Sequence, residues 1–272
     1  MQPGPFTNKM DYNIKSQAAP MTNCLFIHGA FQGGWVWDKI KPMLFLGDYT
    51  AYFPSLKGSA ERINELTEQT GLQEHINDIC HMIDELGLTN LTLIGHSYGG
   101  MVITGIAQQR PGKVRGLIYL DAVFPETQQS LLDILGPKAA NIFYSAAAKG
   151  DGWQVQPFPA ATFGLTKTED INWAVPRHTP QALKTFTDKI TTFSEYRADV
   201  EKTFIHCLQG NAIMNKIAHQ AKNKGCHCIE ISTPHCPMIT HPSLLATILN
   251  AKIKANDSLI TQTAYQHGRI IY

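Results

Sequence analysis

The sequence predicts an α/β fold in which helices flank a mostly parallel central sheet and a helical cap is inserted between two of its strands. Three observations predict this class. Short apolar runs alternate along the chain with amphipathic helical patterns, which is typical of a parallel sheet covered on both faces. The chain has 272 residues, of which 43% are hydrophobic, enough to bury one large core. One stretch, about 123–201, breaks the alternation and lacks clear strands.

The predicted strands are short apolar runs bounded by glycine, proline or polar residues. The first run ends at a glycine and an alanine, the third runs straight into a serine, and the fourth ends in an aspartate and an alanine. In chain order the runs are NCLFIHGA (23–30), YTAYFPSL (49–56), LTLIGHS (91–97), VRGLIYLDA (114–122), KTFIHCLQG (202–210) and CHCIEIS (226–232).

The helices are predicted between these strands. GGWVWDKIKPML (33–44) follows the first strand as a helix. Between 74 and 87 the apolar side chains recur at the 3.6-residue spacing of a helix, and Gly87 ends the pattern. A third helix begins after the third strand at about Met101, and a last helix follows the sixth strand with Pro242 near its first turn.

These elements divide the chain into a core, an insertion and two ends. Residues 21–122 and 202–256 are predicted to form the α/β core, and residues 123–201 the helical cap, which is rich in Pro, Ala and aromatic residues. This composition favours a lid that lines an apolar pocket, while the same rings also pack the insertion onto the core. Residues 1–20 lack the apolar block of a secretory signal and are predicted to be a flexible leader. Residues 257–272 are predicted to be a C-terminal tail with no assigned role.

The charge and the cysteine content argue against several classes of partner. A formal net charge of +1 gives no electrostatic reason to expect nucleic acid or an anionic membrane. No apolar run approaches the roughly 18 residues that a membrane span needs. The six cysteines lie mostly in apolar segments, which favours reduced thiols and a cytoplasmic location over a disulfide framework. In Cys226-His227-Cys228 the histidine faces the opposite side of a strand from both cysteines, so no metal site is predicted.

The segment GHSYG (95–99) fits the pattern G-x-S-x-G between a predicted strand and a predicted helix. Glycines two residues before and after the serine let the strand and the helix approach closely, and the abrupt turn projects the serine side chain above the sheet. At that helix N-terminus the backbone N–H groups and the helix dipole favour developing negative charge. Ser97 is therefore the predicted nucleophile, and the alternative is a purely structural turn.

A serine hydroxyl needs a neighbouring base to act as a nucleophile. The loop PHCPMITHP (234–242) follows the last predicted strand and offers His235, which can reach back over the sheet edge and is the predicted base. Three other histidines are expected to have structural roles. His241 is expected to cap a helix or lie on the surface, His96 to point away along the turn, and His28 to brace the first loop by hydrogen bonding.

Five segments carry motifs: FIHGAFQGGWVW (26–37), GHSYGGMVITGIA (95–107), LIYLDAVFPE (117–126), HTPQALKTF (178–186) and PHCPMITHPSLL (234–245). Together they resemble the α/β-hydrolase superfamily over roughly residues 23–250. They are most similar to the branch that holds small-ester hydrolases of the salicylate-methylesterase type and the plant hydroxynitrile lyases. The resemblance implies a helical cap over Ser97, no cofactor, and an oxyanion hole formed by the backbone N–H groups of Ala30 and Tyr98.

The third member of a catalytic triad has to orient the imidazole. The branch usually places an aspartate just after the fifth strand, and that position here is Gly210, with Asn211 beside it. Other members of the superfamily, zearalenone-lactone hydrolases among them, carry the acid after the preceding strand, which here is Asp121. We therefore predict Asp121 as the acid. The alternatives are a structural Asp121 with Glu126 as the acid, a Ser–His dyad with Asn211 orienting the ring, and loss of activity.

Together these residues predict a serine hydrolase that cleaves a small, fairly apolar carboxylic ester or lactone through an acyl-enzyme, so the predicted partner is a small-molecule ester. Two alternatives stay open. One is a ligand-binding homologue without hydrolytic activity, which the missing carboxylate at Gly210 favours. The other is hydroxynitrile-lyase chemistry. It is disfavoured because the lyases of the branch carry a threonine and a lysine where this chain has Gly29 and Cys236.

Overall fold

The computed structural model describes residues 22–44, 49–191 and 200–267, with side chains described as far as residue 254. The predicted leader over residues 1–20 lies outside the described residues. The last helix continues to His267 and so extends into the segment where the sequence predicts a tail.

The central sheet consists of parallel strands, so the predicted α/β class is confirmed. These strands are β1 (Thr22–Ile27), β2 (Tyr49–Tyr52), β3 (Leu91–His96), β4 (Val114–Leu120), β7 (Glu201–Cys207) and β8 (His227–Ile231). Two short strands, β5 (Gln154–Val155) and β6 (Gln181–Ala182), form a separate antiparallel pair. The order across the central sheet is β2-β1-β3-β4-β7-β8. Strand β3 is buried along its whole length, and it therefore reads as a nearly continuous apolar run instead of an alternating one.

Helices follow most of the strands and cover the sheet. They are α1 (Leu72–Glu85), α2 (Gly99–Gln109), α3 (Leu131–Leu135), α4 (Pro137–Ala148), α5 (Thr168–Ala174), α6 (Lys184–Thr187), α7 (Ala212–Asn223), α8 (Pro237–Thr240) and α9 (Pro242–His267). Short 3-10 helices span Gly34–Trp37, Lys41–Met43, Ala60–Glu65, Ala160–Phe163 and Val175–Arg177. Helices α1 and α2 pack against each other, and α2 also packs on β3.

The predicted helix over 33–44 is wrong. The structure has two 3-10 helices there, Gly34–Trp37 and Lys41–Met43, joined by a turn. The proline in the second of them lacks the N–H group that a continuous α-helix would use. In addition, a Cβ atom on Gly34 would lie 2.1 Å from the carbonyl oxygen of Phe53, so the chain passes too close to the segment after β2 to carry a side chain at that point.

All six central strands end earlier than predicted, and β2 and β7 are among those that differ most. The strand over 49–56 ends at Tyr52, and Pro54 just beyond it cannot donate a hydrogen bond to a neighbouring strand. The strand over 202–210 ends at Cys207, where the chain turns toward α7. Both shortened ends leave loop residues at the same edge of the sheet.

The carboxyl ends of the parallel strands meet at this edge, which is where ligands bind in open α/β sheets. The residues that leave β1, β3, β4, β7 and β8 there are 28–33, Ser97, Asp121, 208–211 and 232–236. The topology therefore gathers every residue that the sequence analysis selected for catalysis at one edge.

Between β4 and β7, the described residues 123–191 form an insertion that contains α3 to α6 and the β5–β6 pair. Its rings pack on Phe31 of the body, by which we mean the described residues before 123 and after 199. The rings in contact with Phe31 are Phe158, Phe163 and Phe186. A second contact joins the two parts where the ring of Trp173 packs edge-on against Trp35 of the body. Within the insertion, the guanidinium of Arg177 lies 4.4 Å from the same Trp173 ring.

Candidate active site

Ser97 lies at a sharp turn between β3 and α2, and the two glycines around it are required by close packing. The backbone of Ser97 has a φ of 53°, an unusual value for a residue with a side chain. A Cβ on Gly95 would lie 2.7 Å from the carbonyl oxygen of Gly99, and one on Gly99 would lie 2.7 Å from that of Ile27. The strained turn is therefore built as the sequence pattern predicts, with the serine at the start of α2.

His235 and Asp121 are joined by a hydrogen bond. Nδ1 of His235 donates to Oδ2 of Asp121 at 2.6 Å. Asp121 follows β4 directly, is fully buried, and has a φ of 41°. Its other oxygen, Oδ1, accepts a hydrogen bond from the backbone N–H of Cys207 at 3.1 Å. A buried carboxylate is costly unless it is paired and hydrogen-bonded, and both oxygens of Asp121 have partners.

The other residues considered for the acid role are engaged elsewhere. Glu126 forms an ion pair with Lys224, just after the end of α7, and its side chain is 45% exposed. Asn211 uses its Oδ1 atom to cap α7. A Cβ on Gly210 would lie only 3.2 Å from Oδ2 of Asp121, so the glycine leaves room for this carboxylate. Among the carboxylates considered, Asp121 is the one bonded to the His235 ring.

His96 is not turned away from the site as the sequence analysis expected, because its ring lies against that of His235 with centroids 4.7 Å apart. Nε2 of His96 donates to the backbone carbonyl of His235 at 2.9 Å. Burial lowers the pKa of His96 well below its ordinary value, so the ring is neutral. The residue beside the serine therefore holds the loop that carries the histidine.

His28 and His241 have the structural positions expected of them. Nδ1 of His28 donates to the carbonyl of Gly29 at 2.8 Å, and its Nε2 accepts from the N–H of Leu56 at 3.0 Å. Burial lowers the pKa of His28 to about 4, which keeps the ring neutral as this bonding requires. His241 is exposed just before α9, and its Nδ1 contacts Oγ1 of Thr240.

The loop after β1 is held by two glutamines that the sequence analysis did not select. Oε1 of Gln32 accepts from the N–H of Gly29 at 3.2 Å, and Nε2 of Gln32 contacts Sγ of Cys236 at 3.6 Å. Oε1 of Gln181, in the insertion, accepts from the N–H of Phe31 at 2.9 Å. The one amide side chain in the motif HGAFQGG could have pointed to Gln32, whereas no pattern connects Gln181 with a loop 150 residues away.

Ala30 and Tyr98 lie in the wall of the same cavity as Ser97 and His235. Neither backbone N–H, that of Ala30 or that of Tyr98, donates a hydrogen bond to another described residue. The Tyr98 hydroxyl donates a hydrogen bond to Nδ1 of His75 at 2.9 Å, so the side chain of Tyr98 already has a partner. The two backbone donors thus remain available to a ligand next to Ser97.

The cavity has a volume of about 340 Å³ and is walled mainly by carbon. Its five phenylalanines come from the body and the insertion: Phe31, Phe143, Phe158, Phe163 and Phe186. Besides the serine and the histidine, its polar side chains are Tyr98, Thr162 and Asn211. Such a cavity suits a small ligand with a substantial apolar part.

Metal ions and membranes have no visible site in the described part of the chain. No three His, Cys, Asp or Glu side chains among the described residues are grouped so that they could hold a metal ion. Likewise, no helix within the described ranges combines the length and the apolar character needed to cross a membrane.

Burial raises the pKa of the Cys236 thiol beside His235 to about 12, so this cysteine stays protonated and is no rival nucleophile.

Comparison with known proteins agrees with this geometry. A family model described as the alpha/beta hydrolase family matches residues 24–248. The chain belongs to this family. A carbendazim hydrolyzing esterase from Nocardioides sp. (strain SG-4G) is 35% identical over 175 residues, which cover 61% of this chain and 72% of the esterase. The α/β-hydrolase chain is also 24% identical to salicylic acid-binding protein 2 of Nicotiana tabacum over 265 residues, 85% of this chain and 97% of that protein.

Solved structures show the same fold. An extracellular α/β-hydrolase from a Paenibacillus species, described as sharing structural and functional homology with tobacco salicylic acid binding protein 2, superposes with a TM-score of 0.75. It is 19% identical to this α/β-hydrolase, and the match covers 84% of this chain and 97% of that one. The predicted resemblance to the α/β-hydrolase superfamily, including its salicylate-methylesterase branch, is thereby confirmed.

Proposed function

We propose that this α/β-hydrolase is a serine hydrolase that cleaves small, fairly apolar carboxylic esters or lactones through an acyl-enzyme. The observation that carries the proposal is the 2.6 Å hydrogen bond from His235 to the buried Asp121, at a cavity that His235 shares with Ser97. Two relatives named as esterase and hydrolase, the carbendazim hydrolyzing esterase and a pyrethroid hydrolase from Sphingobium wenxiniae, support ester cleavage.

In the first half of the reaction, Oγ of Ser97 attacks the carbonyl carbon of the ester. Because Nδ1 of His235 donates to Asp121, its Nε2 has a lone pair and accepts the serine proton. The carbonyl oxygen becomes an oxyanion, which the N–H groups of Ala30 and Tyr98 stabilise by hydrogen bonding. The imidazolium then returns its proton to the departing alkoxide, so an alcohol leaves and the acyl group remains on Ser97.

In the second half, His235 removes a proton from water, and the resulting hydroxide attacks the acyl carbon. A second oxyanion forms in the same place and collapses as His235 returns the proton to Oγ of Ser97. The products are a carboxylic acid and the free enzyme. Asp121 stabilises the imidazolium in both halves, and it holds the tautomer whose Nε2 can accept a proton.

The serine mechanism is tested by comparing the wild type with Ser97→Ala. A fluorophosphonate probe should label the wild type covalently, and p-nitrophenyl acetate should be hydrolysed, whereas Ser97→Ala should do neither. Ser145→Ala is a matched control, because Ser145 lies on the exposed part of α4 outside the active-site cavity. A wild type that stays unlabelled and inactive on esters would instead favour a ligand-binding homologue.

The lyase alternative is disfavoured by packing around Gly29. A side chain at this position would place its Cβ 2.8 Å from Nδ1 of His96 and 3.0 Å from Cβ of Ser97. The threonine that lyases of the branch carry would therefore require the serine turn to shift. An α-hydroxynitrile lyase from Arabidopsis thaliana is 26% identical, but only over 104 residues, 38% of this chain.

A cytoplasmic location is proposed from the state of the cysteines. All six are free thiols, and five of them are buried in the structure. Buried unpaired thiols suit a reducing compartment, where disulfides are rare. Fractionation of the native host and immunodetection of the chain test this location, and recovery outside the cytoplasm would contradict it.

A further inference from the structure

Asn211 lies next to the glycine that replaces the usual acid, and its side-chain amide is held in one orientation. Oδ1 accepts hydrogen bonds from the backbone N–H groups of Ile213 (3.0 Å) and Met214 (3.1 Å), which makes Asn211 the capping residue of α7. Rotating the amide by half a turn would face these two donors with a third donor. Its NH₂ group, Nδ2, is therefore directed away from the helix.

The same residue forms part of the wall around Ser97 and His235. Two other polar side chains there already have partners, since the Tyr98 hydroxyl is bonded to a buried histidine and His235 to its aspartate. Nδ2 of Asn211 makes no hydrogen bond to another described residue. With Oδ1 engaged by the helix, the NH₂ group is the polar part that Asn211 can offer to a ligand in the cavity.

We propose that Nδ2 of Asn211 donates a hydrogen bond to the substrate, so that the preferred substrates are esters whose apolar skeleton carries an oxygen or ring-nitrogen acceptor. This inference rests on the proposed ester hydrolysis and narrows its substrate class. In a small cavity walled by carbon, a few placed polar groups select and orient the ligand. The preference for esters with an acceptor over esters without one is moderate. Asn211 is exposed at the edge of the cavity, so its NH₂ group can bond to water when the ester carries no acceptor.

The expected preference for an acceptor is about tenfold in kcat/KM, the net value of one neutral hydrogen bond. A purely structural Asn211 makes a different prediction. Aspartate and serine are as good as asparagine at capping a helix, so Asn211→Asp and Asn211→Ser keep the cap and lose the NH₂ donor. If Asn211 only caps α7, neither change alters the choice between two esters of the same shape.

The test measures kcat/KM for methyl 2-naphthoate and for a set of methyl quinolinecarboxylates, in which a ring nitrogen replaces one C–H at successive positions. The measured quantity is the ratio of the best quinoline ester to the naphthoate. We expect this ratio to fall about tenfold in both Asn211→Asp and Asn211→Ser. Asn141→Asp controls for the added charge, because Asn141 lies on exposed α4 outside the active-site cavity, and its ratio should match the wild type.

A ratio that both Asn211 variants retain overturns the inference. So does a ratio that falls only in Thr162→Val, which removes the one hydroxyl of the wall besides those of Ser97 and Tyr98. Melting curves of the two Asn211 variants should overlay that of the wild type, because the cap is preserved. Failure of the proposed function is recognised separately. In that case the wild type hydrolyses neither type of ester and shows no labelling that depends on Ser97.

Discussion

Replacing Asp121 by asparagine exchanges a charged acceptor for an amide at a position 2.6 Å from Nδ1 of His235. The second carboxylate oxygen accepts from the N–H of Cys207 at 3.1 Å, and the asparagine oxygen will keep this bond. Its NH₂ group then faces Nδ1 of His235. The ring must respond by presenting a lone pair at Nδ1 and a proton at Nε2, the tautomer that cannot accept the proton of Ser97.

The loss should be large and should fall on kcat. The wrong tautomer and the missing negative charge together cost up to about 10⁴ in turnover, about 5 kcal/mol of transition-state stabilisation. KM should change little, because Asp121 is fully buried and does not line the cavity that receives the substrate. We therefore expect Asp121→Asn to lower kcat by at least about 100-fold at nearly constant KM.

The assay is steady-state hydrolysis of p-nitrophenyl acetate, together with the rate of fluorophosphonate labelling of Ser97. Glu126→Gln is the matched control, since it makes the same change of charge in an ion pair on the surface, where such a pair contributes little. Wild-type turnover in Asp121→Asn would refute the assignment of the acid. A large loss in Glu126→Gln would transfer the role to Glu126.

Two further predictions concern the same site and a third concerns the stability of the fold. Exchanging the two residues in Asp121→Gly/Gly210→Asp should restore kcat at least tenfold over Asp121→Gly alone, because a carboxylate on residue 210 starts from a Cβ that lies 3.2 Å from the present Oδ2. No restoration would show that residue 210 cannot reach the ring. His96→Phe should lower kcat about tenfold and His96→Gln much less, because glutamine keeps an N–H donor for the carbonyl of His235; equal effects of the two variants would contradict this. The free energy of unfolding, measured with urea, should fall as the pH is lowered from 6.5 toward 4. The buried histidines His28 and His75 have folded-state pKa values of about 4 instead of 6.5, so the unfolded chain binds the extra protons in this window and each contributes a loss of up to about 3 kcal/mol. A stability that stays level on acidification would contradict this last prediction.

The parts of the fold that could be predicted are those set by local pattern. The strands β1, β3 and β4 are largely apolar because both faces of the sheet are covered, and two glycines at fixed spacing mark the serine turn. The geometry of residues 33–44 could not be predicted from the local sequence, because close contact with Phe53 and a proline decide it. The spacing of apolar residues indicates which face of a segment is buried, but it carries no information on the residues that pack against that face.

The positions of the candidate site residues in the fold could be predicted as far as chain order determines them. Ser97 and His235 could be selected because each follows a predicted strand. The structure joins His235 to Asp121 by a hydrogen bond, as expected if Asp121 orients the imidazole. The residues that hold the loops could not be found in this way. Gln181 is 150 residues from the loop that it anchors. His96 contributes to the site through a hydrogen bond to the backbone carbonyl of a residue 139 positions away, and no local pattern indicates this bond.

Gly210, at the position where the branch usually carries the acid, is better explained by the presence of Asp121 than by the loss of a catalytic residue. Strands β4 and β7 are neighbours in the sheet, so the residues that leave them lie side by side and can deliver a carboxylate to the same ring nitrogen. Two carboxylates there would repel each other, and one would be left without a hydrogen-bond donor in a buried place. A side chain on Gly210 would also press on Oδ2 of Asp121, since its Cβ would lie 3.2 Å away. With Asp121 bonded to the His235 ring, a glycine after β7 leaves room for this carboxylate, which supports Asp121 as the proposed acid.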